Sequence, residues 1–374
     1  MKPVQFKSFV YEIADSVDFP RENIILGGDH LGPLKWSDES EEVAMEKSKE
    51  LVKSYVLAGF KKIHLDTSMR LAGDNKNESL SNNVIARRGA VLYKTCEEAY
   101  QELLKENPDE KRPVYIIGSE VPSPGGAKEE EGSINITSPA AVSDTIYAYE
   151  SQLKKNGYEN GLKNIIGIVV QPGVEFNNTD VHHYNRDKAK ELSKYLKRYD
   201  KIVFEGHSTD YQSSKNLKRM VEDGFGILKV GPALTFALRE GLFSLSMIEK
   251  ELIKPENRSD FTKVLQKIME NNPGNWMNHY SGLEDELQLQ RKYSFSDRCR
   301  YYFSDPQVIE AIDKLFENLN SVEIPLCMLS QFMPNQYIKA RDKIISLEPK
   351  ELVIDKVIES VSYTHLTLPT ILRV

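Results

Sequence analysis

Several residues of this chain have the chemistry to hold a cation or move a proton. Asp29 and His30 follow a Gly-Gly pair, and further on lie His64 and Asp66, Glu120, Gln171 and Glu175, His207 and Asp210, and Lys229 and Gly231. Imidazoles and carboxylates gathered in one place bind a divalent ion that polarises a carbonyl, while a carboxylate beside it transfers the proton. Each residue also has a plainer use. Asp29 could cap a following helix, a position aspartate favours. His64 and Asp66 alternate along one run and so point the same way, into a shared rim or into a buried hydrogen-bonded pair. Glu120 precedes Val-Pro and Gly-Gly at a loop mouth, as a ligand or as a solvated carboxylate. Lys229 could form a Schiff base, which would require a depressed pKa, or simply an ion pair. His182 and His183 read as surface residues of a polar loop.

The elements that must position these residues repeat one pattern: a short β-branched run, a loop, then an amphipathic helix. The runs are 24–28, 62–66, 114–118, 165–170, 202–205 and 227–230. Most are too continuously apolar to be one-faced, which predicts parallel strands buried on both sides. Ser138 before Pro139 predicts a helix start and Asn156-Gly157 its end, and Ser213 and Gly224 bracket another helix in the same way. Such an α/β order suits an open doubly wound sheet or a closed barrel. The turn at 27–33 has the wrong glycine spacing for a dinucleotide fingerprint and carries Pro33 where a helix should open, so no nucleotide cofactor is expected. The polar residues instead end several different strands, as in a TIM-type (β/α)8 barrel, yet only six runs are present where a barrel needs eight.

Composition sets outer limits. The 374 residues, 40% hydrophobic and 28% charged, suffice for a large core. The net charge of −7 is spread along the chain with no basic block, which argues against a nucleic-acid partner. The three cysteines form no CxxC pair, no signal sequence is evident, and no apolar run approaches the roughly 18 residues of a membrane span, so a cytoplasmic location is expected.

The runs IILGGDHLGP (24–33), GFKKIHLDTSM (59–69), YIIGSEVPSPGGA (115–127), VVQPGVEF (169–176), FEGHSTDYQ (204–212) and ILKVGPALTFALRE (227–240), followed by YSFSDRCRYYF (293–303), resemble the motif series of the GatZ/KbaZ family. These are accessory, non-catalytic subunits of class II D-tagatose-1,6-bisphosphate aldolase. The resemblance implies a TIM-type barrel lacking its first two strands, with residues 1–254 as the incomplete barrel and 255–361 as a helical extension. It implies a subunit required for the activity and stability of a catalytic aldolase partner, in galactitol- or N-acetylgalactosamine-type carbohydrate catabolism. A metal-dependent 4-epimerase interconverting tagatose 6-phosphate and fructose 6-phosphate by retro-aldol chemistry is the alternative.

By the same resemblance, Asp29 stands where the catalytic relatives carry their general acid or base and His30 where they carry a metal ligand. Asp29, His30 and Glu120 are thus the catalytic candidates, and His30, Glu120 and His207 the candidates for holding zinc, magnesium or manganese. Glu205 falls nearer than His207 to a relative's histidine ligand, and the segment 169–175 lacks the histidine found there. Lys229, Gly231, Asp210 and Arg298 are the candidates for the sugar phosphate, with Gly231 opening backbone N–H groups at a helix start and Lys229 favoured for phosphate or carboxylate pairing over a Schiff base. Arg298 and Arg300 could clamp a phosphate, although aromatic and arginine clusters are also common in cores and interfaces. The expected partners are a catalytic aldolase subunit and a sugar phosphate, with self-association into a homo-oligomer open.

The missing strands suggest that Met1 is an internal methionine or that the sequence is a fragment. Their absence would leave sheet edges exposed and the chain poorly soluble. Residues 362–374 change abruptly to a β-prone, proline-interrupted string, expected to be a non-native tail, with a short terminal strand as the alternative.

Overall fold

The computed structural model describes residues 1–75, 77–119 and 134–361. Glu120 and the suspected tail at 362–374 lie outside the described residues. Six parallel strands form one sheet: β1 (Gly27–Leu31), β2 (Lys62–Leu65), β3 (Val114–Ile117), β4 (Ile165–Val170), β7 (Val203–Gly206) and β8 (Phe225–Leu228). Between β4 and β7 a two-stranded antiparallel hairpin, β5 (Glu175–Phe176) and β6 (Val181–His182), stands apart from the sheet. The sheet order follows the chain order throughout. A doubly wound sheet would reverse direction at a switch point, whereas sequential order is what a barrel wall requires. The architecture is α/β with a curled parallel sheet.

Local chemistry sets the helices, of which α1 (Pro3–Ser16) precedes the sheet and α5 (Arg186–Leu196) follows the hairpin. Ser40, Ser81, Ser138 and Ser213 each accept a hydrogen bond from a first-turn N–H, opening α2 (Glu41–Leu57), α3 (Asn82–Glu106), α4 (Pro139–Lys155) and α6 (Ser214–Glu222). Gly157 and Gly224, at φ 86° and 98°, let the chain leave α4 and α6 through the left-handed region. The capping read from Ser138, Asn156-Gly157, Ser213 and Gly224 is therefore the observed capping. The first strand is a correction: it begins at Gly27, three residues after the expected start. Residues 21–23 form a 3-10 turn, and Ile25 is 77% exposed. An apolar pair beside a sheet edge lacks the second neighbour that would draw it into the ladder.

Two apolar clusters fill the molecule. In the first, Ile63, Leu65, Tyr115, Ile168, Phe204 and Phe225 of the sheet pack against Val52, Ala90 and Tyr149 of the surrounding helices. Each fully buried side chain of this size is worth about 1.5–3 kcal/mol of transfer free energy. The second lies in the C-terminal helices. There Leu242, Leu245 and Ile248 of α7 (Ala233–Leu252) meet Phe261, Leu315, Leu329 and Leu352. Within this second cluster a buried ion pair fastens α7 to the segment at 297–302, with Arg239 placing its Nε 3.1 Å from Asp297 Oδ1. α7 follows β8 directly, so the helical unit is anchored on the last strand.

Candidate functional site

Strands β1, β2, β7 and β8 and the turns that follow them bring eight polar side chains together. Lys62 and His64 alternate along β2, Asp66 follows two residues on, and all three turn toward one interior. Glu205 on β7 and His207 just beyond it keep the same alternation. β1 is different, because Asp29 and His30 are adjacent and should face opposite ways. His30 has φ 51°, and the β1–β2 register shifts between Gly28 and Leu31. This left-handed residue breaks the alternation, so both side chains reach the same cluster. A non-glycine residue in that region is uncommon and strained, a cost the surrounding contacts must offset.

The contacts are specific. His30 places Nδ1 3.0 Å from Asp66 Oδ2, and its backbone N–H donates to His64 Nδ1 at 3.4 Å. The rings of His30, His64 and His207 form a triangle with centroids 5.1, 5.2 and 5.6 Å apart. Glu205 Oε1 lies 2.9 Å from His207 Nε2 and 4.0 Å from His64 Nδ1, while Oε2 lies 2.8 Å from Lys62 Nζ. Lys62 also donates to Asp29 Oδ1 at 2.7 Å. Lys229 Nζ stands 3.3 Å from His30 Nε2, 3.5 Å from Asp29 Oδ1 and 3.7 Å from Glu205 Oε1.

Burial and neighbouring charge fix the protonation states. Burial pushes His64 down to about 3 and lowers His207, so both imidazoles are neutral near pH 7. Burial alone would raise Glu205, but the hydrogen bond with His207 and the nearby His64, Lys62 and Lys229 hold it well below the carboxylate range. Asp66 is likewise opposed by burial yet held at about 2 by its hydrogen bond to His30, by His64 and by Ser68. Asp29, despite burial, is lowered by Lys229 and Lys62. Lys62 is raised overall, Glu205 and Asp29 outweighing its burial. Lys229 goes the other way, since its burial and the Lys62 charge outweigh the same two carboxylates.

The donor set suits a divalent ion. His64, Glu205 and His207 are all buried, and their potential ligand atoms lie within 4.8 Å of one another. His64 Nε2 is buried and has no hydrogen-bond partner among the described residues. Two histidines and a carboxylate are a common zinc set.

Of the residues singled out from sequence, Asp29, His30, His64, Asp66, His207 and Lys229 meet in this cluster, and Glu120 lies outside the described residues. Asp210 and Gly231 meet each other instead. The Asp210 carboxylate, 1% exposed, accepts from the N–H groups of Gly231 at 2.9 and 3.1 Å and of Ala233 at 2.9 Å. A built-in carboxylate thus fills the anion position at the start of α7. Arg298 is buried in the helical unit, 2.7 Å from His279 Nδ1. Gln171 folds back, its side-chain oxygen accepting from the N–H groups of Gly173 and Val174. Lys62 and Glu205 complete the cluster. Lys62 was legible only as the polar residue two before His64, because a lysine opening a strand usually reads as a solvated one.

No helix among the described residues is long and apolar enough to cross a membrane. A solved structure described as a probable tagatose 6 phosphate kinase, from Sinorhizobium meliloti 1021, superposes with a TM-score of 0.86 at 39% identity, covering 97% of this chain and 87% of that one. The D-tagatose-1,6-bisphosphate aldolase subunit GatZ of Salmonella agona (strain SL483) is 45% identical over 357 residues, 96% of this chain and 82% of the relative. The GatZ subunit of Salmonella dublin is 43% identical over the same shares. The model of the family described as D-tagatose-1,6-bisphosphate aldolase subunit GatZ/KbaZ-like matches residues 1–367, and the chain belongs to that family.

Proposed function

We propose that this chain is the accessory subunit of a D-tagatose-1,6-bisphosphate aldolase, required for the activity and stability of a catalytic class II partner in cytoplasmic sugar catabolism. The observation that carries this reading is the 45% identity, over 96% of the chain, to relatives named as that aldolase's subunit. The test mixes the purified chain with a catalytic tagatose-bisphosphate aldolase subunit and follows cleavage of the bisphosphate together with the half-life of activity. Both rise if the reading holds; an aldolase indifferent to the added chain overturns it.

Within this reading, the parallel strands correspond to six of the eight in a closed barrel, with the open edges of β1 and β8 where two more would pair. Residues 1–254 serve as the barrel and 255–361 as its helical extension. His64, Glu205 and His207 would hold a divalent cation, which when bound supplies Lewis-acid polarisation of a sugar carbonyl. Asp29, ionised and set between two lysines, is the group to move a proton. Lys229 pairs with an anionic part of the sugar phosphate.

The convergence of Asp29, His30 and Lys229 favours a second reading, a 4-epimerase acting on tagatose 6-phosphate by retro-aldol cleavage and re-addition. A carbon NMR time course of tagatose 6-phosphate with the chain alone separates the two. Fructose 6-phosphate that forms with wild type and is lost with Asp29→Ala or His30→Ala supports epimerisation. Partner activation that survives both substitutions supports the accessory role.

A further inference from the structure

Glu205 is fully buried and carries a cation on each side. Oε2 meets the Lys62 ammonium at 2.8 Å, and Oε1 faces the Lys229 ammonium at 3.7 Å. Oε1 is also the oxygen beside His207 and His64, and so the one a metal ion on these imidazoles would share. Lys229 adds a contact to His30 Nε2 at 3.3 Å. The two lysines partner Asp29 as well, so Glu205 and Asp29 already have internal counter-ions.

We infer that Lys62 and Lys229 are the resident cations of this centre, and that a divalent ion binds His64, Glu205 and His207 only in competition with them. Lys229 is the direct rival for Oε1, while Lys62 weakens Glu205 as a donor by neutralising it from the other side. A dication a few ångströms from an ammonium in a poorly solvated interior is repelled strongly enough to cost several powers of ten in affinity, much of which relaxation returns. Metal affinity is therefore set by lysines that are not ligands. The inference rests on reading the cluster as a cation site, but not on the aldolase partner or any sugar.

Cobalt(II) is the probe. The metal-stripped full chain is titrated with Co2+ and followed by calorimetry and by the visible absorption of the bound ion. Lys229→Met and Lys62→Met should each bind Co2+ at least about tenfold more tightly than wild type, and Lys62→Arg, which keeps the charge, should not. Unchanged or weaker binding in both methionine variants overturns the inference. So does tight binding that persists when His64→Ala is added, because the ion would then lie elsewhere. Should the methionine variants not fold, amine labelling of the wild type mapped by mass spectrometry decides. Reactivity at Lys62 or Lys229 rises on Co2+ addition if the ion displaces them and stays constant if it does not. Partner activation is a separate assay, so either proposal can fail without the other.

Discussion

Lys229 Nζ lies 3.5 Å from Asp29 Oδ1, joining the ends of β8 and β1, the two outer strands of the sheet, which share no backbone pairing. Lys62 and Glu205 make a second bridge from β2 to β7 at 2.8 Å. The curl of the sheet at its C-terminal rim is thus held by ion pairs across the interior. Removing one ammonium leaves the carboxylates of Glu205 and Asp29 short of a counter-charge. Lys229→Met should lower unfolding free energy by about 1–2 kcal/mol in urea denaturation, a figure discounted because Asp29 is partly exposed. An unchanged midpoint would mean that the rim does not depend on this pair.

A Cβ added at Gly32 would fall 1.7 Å from the carbonyl oxygen of Asp66. The obstacle is backbone, which cannot rotate away, so the turn after His30 must separate from the end of β2. Gly32→Ala is expected to cost about 1–3 kcal/mol, as overpacking does. It should also loosen the His30–Asp66 contact, visible as an upfield shift or broadening of the His30 ring N–H proton in proton NMR.

Arg88 is 1% exposed and holds Asp74 at 2.7 and 2.9 Å and Glu41 at 2.6 Å, tying α2, α3 and the loop before α3 together. The hydrogen bond from Arg88 lowers the Asp74 carboxyl, and those from Arg87 and Arg88 lower that of Glu41. Both folded-state values lie below the unfolded ones near about 4. The stability they contribute is therefore fully present above that pH and is lost as pH falls through the folded values. Thermal melts between neutral pH and about pH 3 should show wild type losing more stability than Arg88→Met, which starts about 2–3 kcal/mol lower. Parallel curves would refute the linkage.

Asp210 caps the first turn of α7 through the amides of Gly231 and Ala233. Asp210→Ala leaves two donors unpaired and should cost about 2 kcal/mol. Asp210→Asn keeps an acceptor and should cost less than half of that. Equal losses in chemical denaturation would show that charge, rather than acceptor geometry, matters at this helix start.

Local chemistry written in the sequence accounts for the helix ends and the strand faces. Ser138 and Ser213 open helices because a hydroxyl satisfies a first-turn N–H, and Gly157 and Gly224 end them because the left-handed exit suits a residue without Cβ. Buried parallel strands follow from continuous apolar runs, and the shared direction of His64 and Asp66 from simple alternation. Where pattern and context disagreed, context won: Ile24 and Ile25 read as strand but stand outside it at the edge of the sheet. That Asp29 and His30 face the same interior follows from the assembled fold, because it needs a left-handed backbone at His30, which no spacing announces. The assembled fold also decides that Lys62 meets Glu205, and Lys229 meets Asp29, across long stretches of chain. Those encounters come from the curl of the whole sheet, a sum of strand twists and helix packing that no local window contains.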